Sequence, residues 1–341
     1  MFKILSLDGG GIRGAFTAAY LARLQQELGY PLIRYFDLIA GTSTGGLIAV
    51  GLALELSPAD VLDFYREGAP AVFNRRTPKL PRWKRQFMDT LLARFAPGVD
   101  AEWLLHSKYD PLPFRLGLQR KFGARKLGDA KCRLVIPAVD LSAGKVVVFK
   151  TPHRPGFVRD RHYLVRDVVL ATTAAPSYFP HVSLSPGSAY SDGALWANNP
   201  AIVAYMEAVK IAQDCHRLGI DRPFSQHDIH MLSIGTGKRP SFANPGTEDT
   251  GLKWWAPRLL KVMSEAQSEG THWQMRYVLG DQYTRIDFEM PDAEWSIDSV
   301  GILNDLIRLG NQKAVETIAK LQDTIFRDQA AGYVPFDETV V

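Results

Sequence analysis

In Leu38-Ile39-Ala40-Gly41-Thr42-Ser43-Thr44-Gly45-Gly46-Leu47-Ile48-Ala49-Val50 an apolar, strand-like run meets an apolar, helix-like one across a turn of small residues. No charged residue occurs from Leu38 to Leu54, a stretch of 17 positions that comes close to the shortest membrane span. The break at 41–46 divides it, however, and neither half is long enough to cross a bilayer. The expectation is therefore a buried strand, a tight turn and a buried helix of small residues.

The neighbouring sequence repeats that unit. Phe2 to Leu7 is a short β-rich run closed by Asp8-Gly9-Gly10-Gly11. Gly14 to Leu28 carries Phe16, Ala19, Tyr20, Leu24 and Leu28 at helical spacing and stops at Gly29. Tyr35 to Ala40 is the second buried strand, and Gly46 to Leu56 the helix after it. Strand, helix, strand, helix predicts an α/β fold of three layers, αβα, with a mostly parallel central sheet.

Further along, residues 74–85 place Arg75, Arg76, Lys79, Arg82, Lys84 and Arg85 around Trp83, and 115–131 is again basic. These segments read as a cap-like insertion at about 74–131, either a solvated surface or a surface that touches phosphate headgroups. Trp83, Trp254 and Trp255 are read as core residues, with membership of a lid as the functional alternative. Cys132 to Val139 and Lys145 to Lys150 form a hairpin across Ser142-Ala143-Gly144, and Asp167 to Ala175 a buried helix stopped by Pro176. A strand near Ala189-Tyr190-Ser191 leads into Asp192-Gly193-Ala194. Asn199-Pro200 opens a helix over 201–212, and Ile229 to Ile234 is a strand ending at Gly235-Thr236-Gly237. Beyond residue 240 a polar stretch precedes helical segments near 254–279 and 300–326. The expected division is a catalytic domain at 1–240 and a C-terminal helical extension at 241–341, packed on the core at the sheet's edge.

Bulk properties restrict little. The 341 residues are 46% hydrophobic and 22% charged, with a formal charge of +4 that slightly favours an anionic membrane surface or nucleotide and identifies neither. Cys132 and Cys215 share no motif and fit a reduced chain. The N-terminus reaches Asp8 too soon to contain a signal-peptide apolar region, so a cytoplasmic location is expected.

Three local features carry chemistry. Gly41-Thr42-Ser43-Thr44-Gly45 is a G-x-S-x-G between strand and helix. That turn forces the serine into a strained conformation, and Gly41 and Gly45 let neighbouring backbone pass close by. The helix starting at Thr44 aims its N-terminal amides at the serine oxygen. Asp8-Gly9-Gly10-Gly11-Ile12-Arg13-Gly14 leaves several N–H groups facing one concave nest able to hold an oxyanion, with Arg13 adding charge or tying the loop down. Gly9, Gly11 and Gly14 also spell the dinucleotide fingerprint, which wants an acid near the end of the second strand; Asp37 lies within that strand instead. Asp192 stands 149 residues after Ser43 at a strand end, where a base facing a neighbouring strand belongs. A lone D-G is ordinarily only a turn.

In this order the three features resemble the patatin-like phospholipase family: D-G-G-G-x-R-G at 8–14, G-x-S-x-G at 41–45 and D-G-A at 192–194. The Ala-Pro-x-x-Phe-Pro segment at 175–180 and Asn198-Asn199-Pro200 are similar too, and the likeness covers roughly residues 1 to 240. It implies a Ser43–Asp192 dyad without a catalytic histidine, an oxyanion hole at Gly9, Gly10, Gly11 and Arg13, and a nucleophile elbow at Gly41 and Gly45. It further implies membrane glycerophospholipid as substrate, attacked from the water side of the inner membrane, with neither metal nor other cofactor. No group of acids has the spacing of a calcium loop.

Two rivals follow from the same residues. A histidine-dependent α/β hydrolase would draw on His216, His227, His230 or His272, all after Asp192 in the chain. A nucleotide-binding module would use the glycine loop for phosphate, but Gly235-Thr236-Gly237-Lys238 lacks the earlier glycine of a P-loop. The N-terminal core with a helical C-terminal region is also similar to bacterial phospholipase effectors of cyclic-oligonucleotide anti-phage signalling. That likeness implies a cyclic dinucleotide activator, no DNA or RNA partner, and an oligomeric state left open, with a homo-oligomer on activation among the alternatives.

Overall fold

Each of the short apolar runs becomes a strand of one sheet in the computed structural model, which describes residues 1–77, 80–95, 105–218, 224–239, 250–255, 258–291 and 295–336. The strands are β1 (Phe2–Leu7), β2 (Leu38–Gly41), β3 (Arg133–Asp140), β4 (Lys145–Lys150), β5 (Tyr190–Asp192), β6 (Ile229–Ile234) and β7 (Tyr283–Ile286). Their order is β4-β3-β2-β1-β6-β7. The pairs from β3 through β7 are parallel, whereas β4 and β5 both run antiparallel to β3. The polar stretch at 240–249, and parts of the basic insertion at 78–79 and 96–104, lie outside the described residues.

Alternation along β1 shows how the layers form. Leu5 and Leu7 join a core with α1 (Gly14–Leu28), α2 (Thr44–Ala53) and α3 (Pro58–Val72). Phe2 and Ile4 point the other way, into a smaller core with α8 (Ala201–Leu218) and Met275. Helices therefore cover both faces, as parallel strands buried on two sides require.

The C-terminal region enters these layers directly. After α10 (Leu259–Leu279) the chain adds β7 beside β6, with Met231 opposite Tyr283 and Ile234 opposite Ile286. Sequence reading assigned no strand there, because Tyr283-Thr284-Arg285-Ile286 is too short for alternation to show. Then α11 (Leu303–Gln322) lies along α1, where Gly310 packs on the backbone of Phe16 and Tyr20.

The position of β5 decides the site. Along one edge of β3, β2 pairs from Arg133 to Val135 and then ends, while β5 pairs from Ala138 to Asp140. Since β4 occupies the other edge, β5 continues the line that β2 leaves. The turn after β2 and the end of β5 consequently face each other across a gap of two β3 residues.

Candidate active site

Ser43 occupies that gap at the N-terminus of α2, with φ 55° and ψ −122°. A non-glycine residue held there costs on the order of 1–3 kcal/mol, so the surroundings must impose it. They do so on three sides. The Ser43 amide donates to Thr172 Oγ1 at 3.0 Å, and that hydroxyl donates onward to the Pro137 carbonyl at 2.6 Å. Thr42 Oγ1 donates to the Ala197 carbonyl at 2.6 Å. Gly45 is needed for close approach, since a Cβ there would overlap the Leu7 carbonyl at the end of β1.

The Ser43 hydroxyl donates to Asp192 Oδ2 at 2.8 Å. The other carboxylate oxygen accepts the Ala194 amide at 2.8 Å, which fixes the carboxyl plane. Asp192 is buried, and burial raises its pKa from 3.8 to about 7 against the downward pull of the Ala194 amide and the Ser43 hydroxyl. A carboxylate with so few donors is a much stronger base than one in water. No histidine lines the cavity around the pair among the described residues. His230 meets Gln282, His272 meets Tyr283, and His227 is exposed.

The glycine loop lies on the other side of Ser43. Its four candidate residues all line the same cavity but differ in what their donors do. The Gly9 amide donates to the Asn198 carbonyl at 3.0 Å and is thereby engaged. The amides of Gly10 and Gly11 have no partner among the described residues. Arg13 is buried, its Nη1 3.0 Å from Met290 Sδ and its Nε at the margin of a hydrogen bond to the Gly10 carbonyl, so it ties the loop down. Gly41 and Gly45 stay behind the serine, outside the cavity wall.

Support for this loop comes from Asp8 and Thr236, and from Arg285, Asp287 and Ile297, which sequence reading did not single out. Asp8 accepts both Nη groups of Arg285, from β7, at 2.9 and 2.7 Å, and Arg285 reaches Asp287 at 2.9 Å. Burial alone would lower the Arg285 pKa, but Asp8 and Asp287 together hold it well above the ordinary range. Thr236 Oγ1 donates to the Gly9 carbonyl at 2.7 Å, and the Ile297 carbonyl accepts the Ile12 amide at 2.8 Å. The Gly235-Thr236-Gly237 turn thus buttresses the glycine loop. Asp37, the acid weighed for a dinucleotide site, accepts the Lys3 amide at 2.8 Å and is occupied structurally.

The cavity has a volume of about 360 Å³ and two unlike walls. One is apolar, from Leu47, Phe64, Val72, Phe73, Phe114 and Phe179. The other carries Arg13, Arg239, Lys261 and Glu265, with Arg239 Nε bonded to Glu265 at 3.0 Å. A hydroxyl beside a buried carboxylate, amides in the same cavity with no partner among the described residues, and apolar lining suit acyl transfer from an ester with a long apolar acyl group.

Comparison with known proteins agrees. The family model described as patatin-like phospholipase matches residues 5–205. A cGAMP-activated phospholipase from Pseudomonas aeruginosa is 32% identical, over 92% of this chain and 88% of the relative. Another from Vibrio cholerae is 32% identical over 93% and 92%. A third, from Escherichia coli, is 36% identical over 69% of this chain and 62% of the relative. With more than half its length matched by that model and two such relatives spanning nearly all of it, the chain belongs to the patatin-like phospholipase family of carboxylic ester hydrolases.

Proposed function

We propose that this enzyme cleaves fatty-acyl esters of membrane glycerophospholipids through a Ser43–Asp192 dyad and is activated by cGAMP. The observation that carries the chemical part is the 2.8 Å bond from the Ser43 hydroxyl to a buried carboxylate whose pKa is about 7. As Ser43 Oγ attacks the ester carbonyl, its proton passes to Asp192. The carbonyl oxygen becomes an oxyanion facing the Gly10 and Gly11 amides. When the tetrahedral species collapses, the C–O bond to the glycerol breaks and the departing oxygen takes the proton from Asp192. Water then attacks the acyl-enzyme, gives its proton to Asp192, and releases the fatty acid as Ser43 regains its own.

Activation by cGAMP is supported by relatives of that name aligned with nearly the whole chain, beyond the catalytic core alone. In this reading the enzyme works at the water side of a membrane. No helix among the described residues is long and apolar enough to cross one.

Phospholipase activity of wild type and Ser43→Ala, with and without cGAMP, tests both parts. The expected result is fatty-acid release that requires cGAMP and falls by about 10⁴ or more in Ser43→Ala. Release that persists in the variant would sink the dyad. Activity indifferent to cGAMP would sink the regulation and leave the hydrolase.

A further inference from the structure

The helix α4 (Arg82–Phe95) carries an exposed apolar stripe. Trp83, Phe87 and Leu91, spaced by four, form one stripe and are 67, 71 and 53% exposed. The half-buried Arg85, Met88, Asp89 and Leu92 make the opposite side. Met88 and Leu92 put apolar side chains on that side too, so the outward stripe is additional to the single apolar stripe of the usual surface helix, which faces the core.

Two further observations say what covers the stripe. The first is charge: over 82–95 the sequence has four cations (Arg82, Lys84, Arg85 and Arg94) against the single acid Asp89. Exposed Lys84 lies over the Trp83 ring, 5.4 Å from its centre, so cation and aromatic share one edge of the helix. The second is position. The segment bearing α4 leaves the fold through a narrow neck, where the Arg76 amide donates to the Lys108 carbonyl at 3.1 Å. On the other side of that neck the Lys108 and Tyr109 amides donate to the carbonyls of Ser177 and Tyr178, both in the cavity wall. Arg82 comes only six residues after Arg76, so α4 begins at most about 22 Å of chain from that neck, which is itself hydrogen-bonded to the rim of the cavity holding Ser43.

Resting on the phospholipase reading, we infer that α4 is a membrane-docking helix: it lies in the interface of an anionic lipid bilayer, Trp83, Phe87 and Leu91 among the acyl chains and the exposed Arg82 and Lys84 at the headgroups. A stripe of three large apolar side chains with flanking cations is the pattern of an interfacial helix, and its 14 residues make a segment about 21 Å long, suited to lying on a bilayer rather than crossing it. Docked there, the helix holds the cavity mouth against the surface that contains the substrate.

Flotation of the Ser43→Ala chain with vesicles tests docking without hydrolysis. The vesicles are phosphatidylglycerol–phosphatidylethanolamine or pure phosphatidylcholine, each with and without cGAMP. The expected result is binding to the anionic vesicles that weakens with salt, and roughly 100-fold weaker partitioning when Trp83→Ser, Phe87→Ser and Leu91→Ser are combined. Those positions are exposed, so the triple variant on the Ser43 background should keep wild-type turnover of a soluble short-chain ester. Equal vesicle binding by the triple variant, or no binding by the parent in any arm, overturns the inference. Loss of soluble-ester turnover also overturns it, because the stripe then closes over its own cavity. So does a lower oligomeric mass without lipid, because the stripe then meets a second copy. Flotation does not depend on turnover, so a failure of docking and a failure of the phospholipase reading give separate signals.

Discussion

At Asp192 the proposed role as base and stability oppose each other. Its pKa is raised, so the folded state holds the proton to a higher pH than the unfolded state. The stability from this group is fully present below about pH 4 and is lost as pH rises through about 7. The shift from 3.8 to about 7 sets an upper bound of about 4 kcal/mol on that loss. Asp192→Asn keeps an acceptor for the Ala194 amide and carries no charge. It should therefore be inactive, by about 10³-fold or more, yet more stable than wild type at pH 8 by up to that bound, with the difference vanishing near pH 4. Denaturant titration at both pH values checks this. In the wild type, kcat/KM should rise with pH to a plateau, with a midpoint near 7, since in the proposed dyad only ionised Asp192 takes the serine proton. A flat profile between pH 5 and 8 would contradict the assignment. Ser43 and Asp192 were legible because each sits in a short motif at an element boundary. Thr172 was not: its hydroxyl meets the Ser43 amide only because α6 (Val165–Thr172) ends beside the elbow, 129 residues away in sequence.

Between elements, β7 reaches into the glycine loop through Arg285. Arg285→Lys keeps the charge but lacks the planar fork that grips both Asp8 oxygens. Its expected signature is a fall in kcat of roughly 10- to 100-fold with KM little changed, as the Gly10 and Gly11 amides lose their aim. Arg285→Met should instead cost about 3–5 kcal/mol of stability, because it leaves buried Asp8 and half-buried Asp287 without their cationic partner. An unfolding midpoint unchanged in Arg285→Met would refute the buttress. The contact of α11 with α1 gives a second test. A Cβ at Gly310 would lie 2.5 Å from the Phe16 carbonyl oxygen, so Gly310→Val must push the helices apart. A loss of about 1–3 kcal/mol is expected, read as a lower melting temperature with kcat retained at low temperature.

Across the whole molecule, the C-terminal region completes the fold that holds the site. It contributes a strand to the central sheet, a helix over α1 and the Ile297 carbonyl that accepts the Ile12 amide. A chain ending at residue 240 would expose the β6 edge and the apolar face of α1 together. We expect it to be insoluble or molten, with lost near-ultraviolet dichroism, rather than a free-standing hydrolase. A soluble, active fragment would show that the two parts fold independently. Trp83 marks the same scale from the other direction: read as core, with a lid as the alternative, it proves to be exposed on α4. Apolar residues at helical spacing define a stripe, but only packing says which side the rest of the chain occupies.

By itself the sequence determined the parallel α/β core, the elbow at Ser43, the glycine loop and the candidate base, because each depends on contacts between residues close in the chain. Turn geometry, helix starts and strand periods are local, and small residues at fixed offsets leave a readable trace. Tertiary structure alone decided the rest. It set β5 in line with β2 on one edge of β3, engaged the Gly9 amide while leaving those of Gly10 and Gly11 without a partner among the described residues, and brought Arg285 to Asp8 across 277 residues. Those outcomes depend on which strands become neighbours, and sheet order is settled by burial of both faces at once rather than by any one segment.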